Sequence, residues 1–77
     1  MWAEVDNKLT RTFQFATFVE AWGFMSKVAL LAERMNHHPE WTNVYSTVDI
    51  KLSTHDAGDI VTDKDRELAL AIDQLLR

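Results

Sequence analysis

The chain reads as a two-layer α+β sandwich, and three observations predict it. A β-hairpin pattern opens the sequence, a long stretch with period 2 fills its second half, and an amphipathic helix follows each of these. The 77 residues include only Gly23, Gly58 and Pro39 as chain breakers, with no repeat and no low-complexity stretch, so one domain is expected. A domain this small buries only about 60% of its unfolded surface, and self-association is the expected complement to such a modest core.

Residues Trp2 to Phe15 carry the hairpin. Val5 closes a short strand, Asp6-Asn7 tolerates the positive φ angles of a tight turn, and Leu9 to Phe15 is rich in β-formers. Leu9, Phe13 and Phe15 share one face, on which Arg11 is the exception. Thr17, with Glu20 three residues on, has capping-box spacing and starts the first helix. Two stripes run along it: Phe18, Trp22, Met25, Ala29 and Ala32, and beside them Ala21, Phe24, Val28, Leu31 and Met35. Such a wide apolar face suits a broad core contact, with any surplus available to another subunit. Pro39 disfavours helical geometry at His38, so the helix should end between Asn36 and Pro39.

From Asn43 the period becomes two. Val44, Val48, Ile50 and Leu52, with Ser46 and Thr54, are predicted on one face of an unbroken strand. Tyr45, Thr47, Asp49, Lys51, Ser53 and His55 are predicted on the other. The Asp56-Ala57-Gly58 turn follows. The last helix is expected to begin near Thr62 or Asp63 and to bury Leu68, Ala71, Ile72, Leu75 and Leu76.

Composition narrows the function. Hydrophobic residues make up 47% and charged residues 26%, which is globular composition. Eight Lys+Arg against twelve Asp+Glu, a net charge of −4, give little material for the basic face that direct nucleic-acid contact needs. The absence of cysteine excludes a disulfide framework, a thiolate metal site and a thiol nucleophile. No apolar run approaches the ~20 residues of a membrane span, and no leader-like segment opens the chain, so a soluble cytoplasmic protein is expected.

The chemistry-bearing residues are the histidines. His37-His38 ends the first helical pattern and His55 ends the strand pattern, so every imidazole sits where a regular element stops. Imidazole both donates and accepts protons near neutral pH, and element ends are where a scaffold aims groups at a ligand. Successive residues at a helix end diverge by roughly 100°, so His37 and His38 would approach a ligand from different directions, with His55 as a third. Glu33, one turn before His37, is in reach of that ring or of a ligand. Three imidazoles and a carboxylate suit general acid/base work on a small polar heterocycle. Each histidine alone also fits a helix-dipole or surface role. A three-histidine zinc site is the weaker alternative, because adjacent ligands at a helix end reach one metal poorly and no i, i+4 pair exists. Trp41 and Tyr45 suit either stacking on an aromatic ligand or packing at the start of the sheet.

The run from Ala32-Glu33 through Asn36-His37-His38-Pro39-Glu40-Trp41 to Asn43-Val44-Tyr45, followed by Leu52-Ser53-Thr54-His55-Asp56, resembles the pterin-4a-carbinolamine dehydratase family. The resemblance covers essentially the whole chain, including Gly23-Phe24-Met25. It implies an antiparallel four-stranded sheet with two helices on one face, in the order β(2)-α-β(2)-α, and assembly as a homodimer or homotetramer. It also implies a hydro-lyase that dehydrates 4a-hydroxytetrahydropterin to quinonoid dihydropterin in tetrahydrobiopterin recycling, with no metal or redox cofactor. His37 and His55 would do the acid/base work, His38 would orient the pterin, and Asn36, Ser53, Thr54 and Asp56 would line the pocket with Glu33 in support. An aromatic amino acid hydroxylase would be a pathway partner. The alternative that the resemblance leaves open is a non-catalytic dimerisation or transcriptional coactivator-type module. Three departures stand out. The helix that family members commonly carry ahead of the first strand is expected to be missing before Met1-Trp2, Asp59 stands where a second glycine is common, and the family pattern divides the stretch from Asn43 to Thr54 into two strands.

Overall fold

The computed structural model describes all 77 residues, Met1 to Arg77. Strands β1 (Ala3–Val5) and β2 (Lys8–Gln14) form the opening hairpin, and helix α1 (Phe18–Met35) follows. Strands β3 (Glu40–Val44) and β4 (Thr47–Leu52) come next, then a 3-10 turn at His55–Ala57 and helix α2 (Asp63–Gln74). The four strands are antiparallel in the order β1-β2-β4-β3, which puts β2 and β4 at the centre. No helix is long and apolar enough to cross a membrane.

Local chemistry accounts for the element ends. Asp6 and Asn7 take φ angles of 52° and 63°, the left-handed pair that lets a two-residue turn follow the twist of its strands. At the start of α1, the Glu20 amide donates to the Thr17 hydroxyl at 3.1 Å, and the Glu20 carboxylate accepts from the Ala16 amide at 3.2 Å. The box therefore closes one residue earlier than its usual form.

One core lies between sheet and helices. Leu9 and Phe13 of β2 and Val48, Ile50 and Leu52 of β4 pack against Ala21, Phe24, Met25 and Val28 of α1 and Leu68, Ala69 and Ile72 of α2. Because a single cluster holds residues from both helices, both cover the same sheet face. Phe24 anchors the aromatic part, with ring centroids 4.8 Å from Phe13 and 5.0 Å from Phe15. Arg11, the charged residue on this face, lies 4.6 Å above the Phe13 ring and donates to Asp73 of α2 at 2.6 Å. Trp2 donates to the same carboxylate oxygen at 2.8 Å.

The structure corrects three sequence expectations. The predicted unbroken strand is a hairpin that turns at Tyr45 and Ser46, with Tyr45 at φ 51° and Asn43 Nδ2 donating to the Tyr45 and Thr47 carbonyls. Residues before the turn consequently change face: Trp41 pairs with Ile50 and Asn43 with Val48 on the helix side, while Val44 is exposed. On α1 the core takes the second stripe together with Met25 and Ala32, and Phe18 and Trp22 are left stacked on one another in solvent. On α2 the buried position is Ala69 instead of Ala71, and Leu76 is exposed.

Candidate active site

Helix α1 delivers two histidines by the way it stops. Asn36 adopts the left-handed conformation (φ 51°, ψ 43°). Its amide donates to the Glu33 carbonyl at 3.2 Å, and the His37 amide donates to the Ala32 carbonyl at 3.0 Å. This is the Schellman pairing, which satisfies two of the carbonyls a helix end leaves orphaned and reverses the chain. Asparagine tolerates the left-handed region better than other non-glycine residues. After the reversal the two imidazoles part company. His37 turns inward with its side chain 11% exposed, and its Nε2–H donates to Asp65 Oδ1 at 2.5 Å. His38 turns outward and its Nε2–H donates to Glu33 Oε1 at 3.0 Å. The sequence expectation that Glu33 serves His37 is therefore corrected: the turn at Asn36 brings His38 back over Glu33 instead.

The third imidazole comes from the loop between β4 and α2. Strand pairing ends at Leu52, and Thr54 makes one isolated bridge to Ile60. His55 thus heads a 3-10 turn and is not the last strand residue that the alternation predicts. Gly58 closes that turn at φ 92°, where a side chain would be strained, and its amide donates to the His55 carbonyl at 3.0 Å. Asp59 follows at φ 60° and accepts from His55 Nδ1–H at 2.9 Å. The hydrogen bond to Asp59, then the charge of Asp59 and that of Asp56, hold the His55 pKa above its ordinary 6.5. The His55 side chain is 89% exposed, so solvent screens this pairing.

These elements meet at a hollow of about 270 Å³ lined by Asn36, His37, His38, Ser53, Thr54, His55, Asp56 and Lys64. All of the sequence-derived candidates except Glu33 border it, and no hydrophobic residue does. Two hollows of about 310 and 360 Å³ lie on the open sheet face and between α1 and the end of α2. Neither contains an imidazole, whereas the smaller hollow is bordered by all three.

Sequence reasoning missed two residues here. Lys64, on the first turn of α2, brings an ammonium group to the rim. Asp65 is more consequential, because it is completely buried and its two oxygens take three donors. Its Oδ1 holds His37, while its Oδ2 accepts from the Thr54 hydroxyl and the Thr62 amide, both at 2.8 Å. The Thr54 and Thr62 hydroxyls are themselves 2.5 Å apart. Thr62-x-x-Asp65 spacing marks a helix cap in the sequence, but nothing local shows that the second oxygen reaches across to a histidine 28 residues away. Thr54 both lines the hollow and joins this network through its hydroxyl.

Chemically, the hollow presents one inward imidazole backed by a buried carboxylate, one outward imidazole and one solvated imidazole backed by an exposed carboxylate. That set can deliver and remove protons at two points of one small ligand. No group of three His, Asp or Glu side chains converges closely enough to hold a metal ion.

A ββαββα sandwich with imidazoles at its helix–loop rim is the class these features define. Residues 1–75 match the family model described as pterin 4 alpha carbinolamine dehydratase, and the chain belongs to that family. A provisionally named pterin-4-alpha-carbinolamine dehydratase of Prochlorococcus marinus (strain MIT 9303) is 57% identical over 74 residues, covering 96% of this chain and 76% of the relative. Another, of Bradyrhizobium sp. (strain ORS 278), is 57% identical over 76 residues, covering 96% and 75%. Among solved structures, a transcriptional coactivator/pterin dehydratase from Brucella melitensis superposes with a TM-score of 0.90 at 43% identity, over 95% of this chain and 79% of that one. A pterin dehydratase-like protein identified as a RuBisCO assembly factor in the alpha-carboxysome superposes with a TM-score of 0.81 at 25% identity, over 96% and 87%.

Proposed function

We propose that this chain is a hydro-lyase that dehydrates a 4a-hydroxytetrahydropterin to the quinonoid dihydropterin. The observation that carries the reading is the polar hollow bordered by His37, His38 and His55, in a chain of this family. The reaction needs no change of oxidation state. A proton goes to the C4a hydroxyl, the C–O bond breaks and its electron pair leaves with water. A ring nitrogen loses its proton and its electrons close the new C=N bond. His55, whose protonated form persists above the ordinary imidazole range, suits the acid role. His37, with Nε2–H directed at Asp65, keeps Nδ1 for the proton taken from nitrogen. His38, steadied by Glu33, orients the ring system, and Asn36, Ser53, Asp56 and Lys64 supply polar contacts. Turnover of this kind would serve tetrahydrobiopterin recycling beside an aromatic amino acid hydroxylase in the cytoplasm.

The test is a spectrophotometric dehydration assay on freshly generated carbinolamine. His37→Ala and His55→Ala are each expected to lose about 10²- to 10⁴-fold in rate, the usual contribution of a positioned acid or base. Unchanged rates in both variants would remove the mechanism.

One further observation favours a second reading, an interaction module. Helix α1 exposes Phe18, Val19, Trp22 and Leu30, an apolar surface suited to a homodimer or homotetramer contact or to a protein partner. The Brucella relative is named as a coactivator as well as a dehydratase, and the carboxysome relative as an assembly factor. Absence of turnover in the wild-type chain, together with association that Trp22→Glu abolishes, would favour this reading over catalysis.

A further inference from the structure

We infer that Asp65 is a positioning residue that sets which nitrogen of His37 works in the hollow. This rests on the dehydratase reading for its consequence in rate, but its geometry stands independently. The Asp65 carboxylate is fully buried, and each of its oxygens has assigned donors. Oδ2 takes the Thr62 amide and the Thr54 hydroxyl, and Oδ1 faces only His37 Nε2. A backbone amide cannot change its role, so the carboxylate is fixed in rotation and Oδ1 must find a donor. His37 therefore carries hydrogen on Nε2 whether its ring is neutral or protonated, and Nδ1 is the nitrogen that gains and loses the proton. The arrangement follows the general logic of a buried carboxylate that holds an imidazole in one tautomer and orientation.

The same carboxylate caps α2 through the Thr62 amide. One buried group thereby joins the end of α1, the segment after β4 and the start of α2, which are the three chain segments that border the hollow. The network accounts for a threonine buried at the site, since Asp65 accepts from the Thr54 hydroxyl.

Asp65→Asn makes the test sharp. The Thr62 amide and Thr54 hydroxyl require an acceptor, so the new amide oxygen takes the Oδ2 place and its NH₂ faces His37. Nε2 must then become an acceptor, and the proton moves to Nδ1. Two-bond ¹H–¹⁵N correlation spectra of the imidazoles read this directly. The wild type is expected to give the Nε2–H pattern for His37, and Asp65→Asn the Nδ1–H pattern. Dehydration should fall about 10²- to 10⁴-fold in Asp65→Asn. In a His37→Ala background the same substitution should change the rate less than about threefold, because the two groups act as one unit.

An Nδ1–H pattern for His37 in the wild type would overturn the inference without any variant. So would an Asp65→Asn rate loss that persists in full on the His37→Ala background. If Asp65→Asn does not fold, Thr54→Val serves as the second variant: it removes one donor to Oδ2, and the Nε2–H pattern should persist. Loss of that pattern in a folded Thr54→Val protein would count against the assignment. A wild type with the Nε2–H pattern but no turnover would support the positioning geometry and sink the dehydratase reading, so the two claims fail separately.

Discussion

His37 and His55 are held by opposite means. A buried carboxylate fixes the first, and an exposed one escorts the second. The exposed pair gives a pH signature. Because Asp59 and Asp56 raise the His55 pKa, the acid form survives to higher pH, and the alkaline limb of the rate profile should lie above 6.5. Asp59→Asn is expected to move that limb down toward 6.5, and high salt should do so partially, since the pair is solvent-screened. A pH–rate profile with an unmoved limb in Asp59→Asn would remove His55 as the titrating acid. The same raised pKa contributes stability that is fully present below 6.5 and lost as pH rises through the folded-state value; full exposure makes rate the better readout. At this scale the sequence was informative about imidazoles, because their type and their place at element ends are local properties. Asp65 was not legible, since its second partner depends on how α1 and α2 meet. Asp59 became meaningful once its carboxylate was seen on His55.

Among the elements, two left-handed residues invite direct substitution. Asn36 ends α1 and aims both histidines, so Asn36→Val, which puts a branched side chain at φ 51°, is expected to cost about 1–2 kcal/mol. Asn36→Gly should be close to neutral, and urea denaturation compares the two. Tyr45 takes φ 51° in the β3–β4 turn, where asparagine is better suited, so Tyr45→Asn should gain about 0.5–1 kcal/mol. Equal stability of Asn36→Val and wild type would contradict the capping account. The first hairpin was legible because Asp6-Asn7 announces its turn. The second was hidden because alternation runs on through a two-residue turn with no Gly, Pro or Asp to mark it. Val44 pairs with Thr47, so residues before the turn lie on the face opposite to the one a straight strand would give them. Asn43, whose side chain clasps the turn from its first strand, is the signal that reasoning from periodicity passed over.

In the whole molecule α2 is pinned at both ends. Asp65 ties its first turn to His37 and Thr54, and Asp73 ties its last turn to Trp2 and Arg11. Arg11 interrupts the apolar face of β2 for this reason, which the sequence showed only as an exception. Asp73→Ala leaves a partly buried guanidinium and an indole N–H without their acceptor and should cost about 1–3 kcal/mol. For a domain of this size each kcal/mol lowers Tm by about 4–8 °C. Thermal unfolding unchanged in Asp73→Ala would show that the far end of α2 is held by apolar packing alone. The two-layer architecture was readable because periodicity reports which faces are buried. The outward stripe of α1 was not, because apolar spacing alone does not say whether a sheet, a neighbour or solvent meets it.

The most direct measurement is a titration of the protein with a 7,8-dihydropterin, followed through the imidazole and backbone NMR resonances. Resonances of His37, His38 and His55 should shift together along one saturable curve, with Ser53 and Asp56 moving in step. Unmoved imidazoles, or shifts confined to Thr10, Thr42 and Lys51 around the larger hollow on the open sheet face, would contradict the assignment of the pterin site.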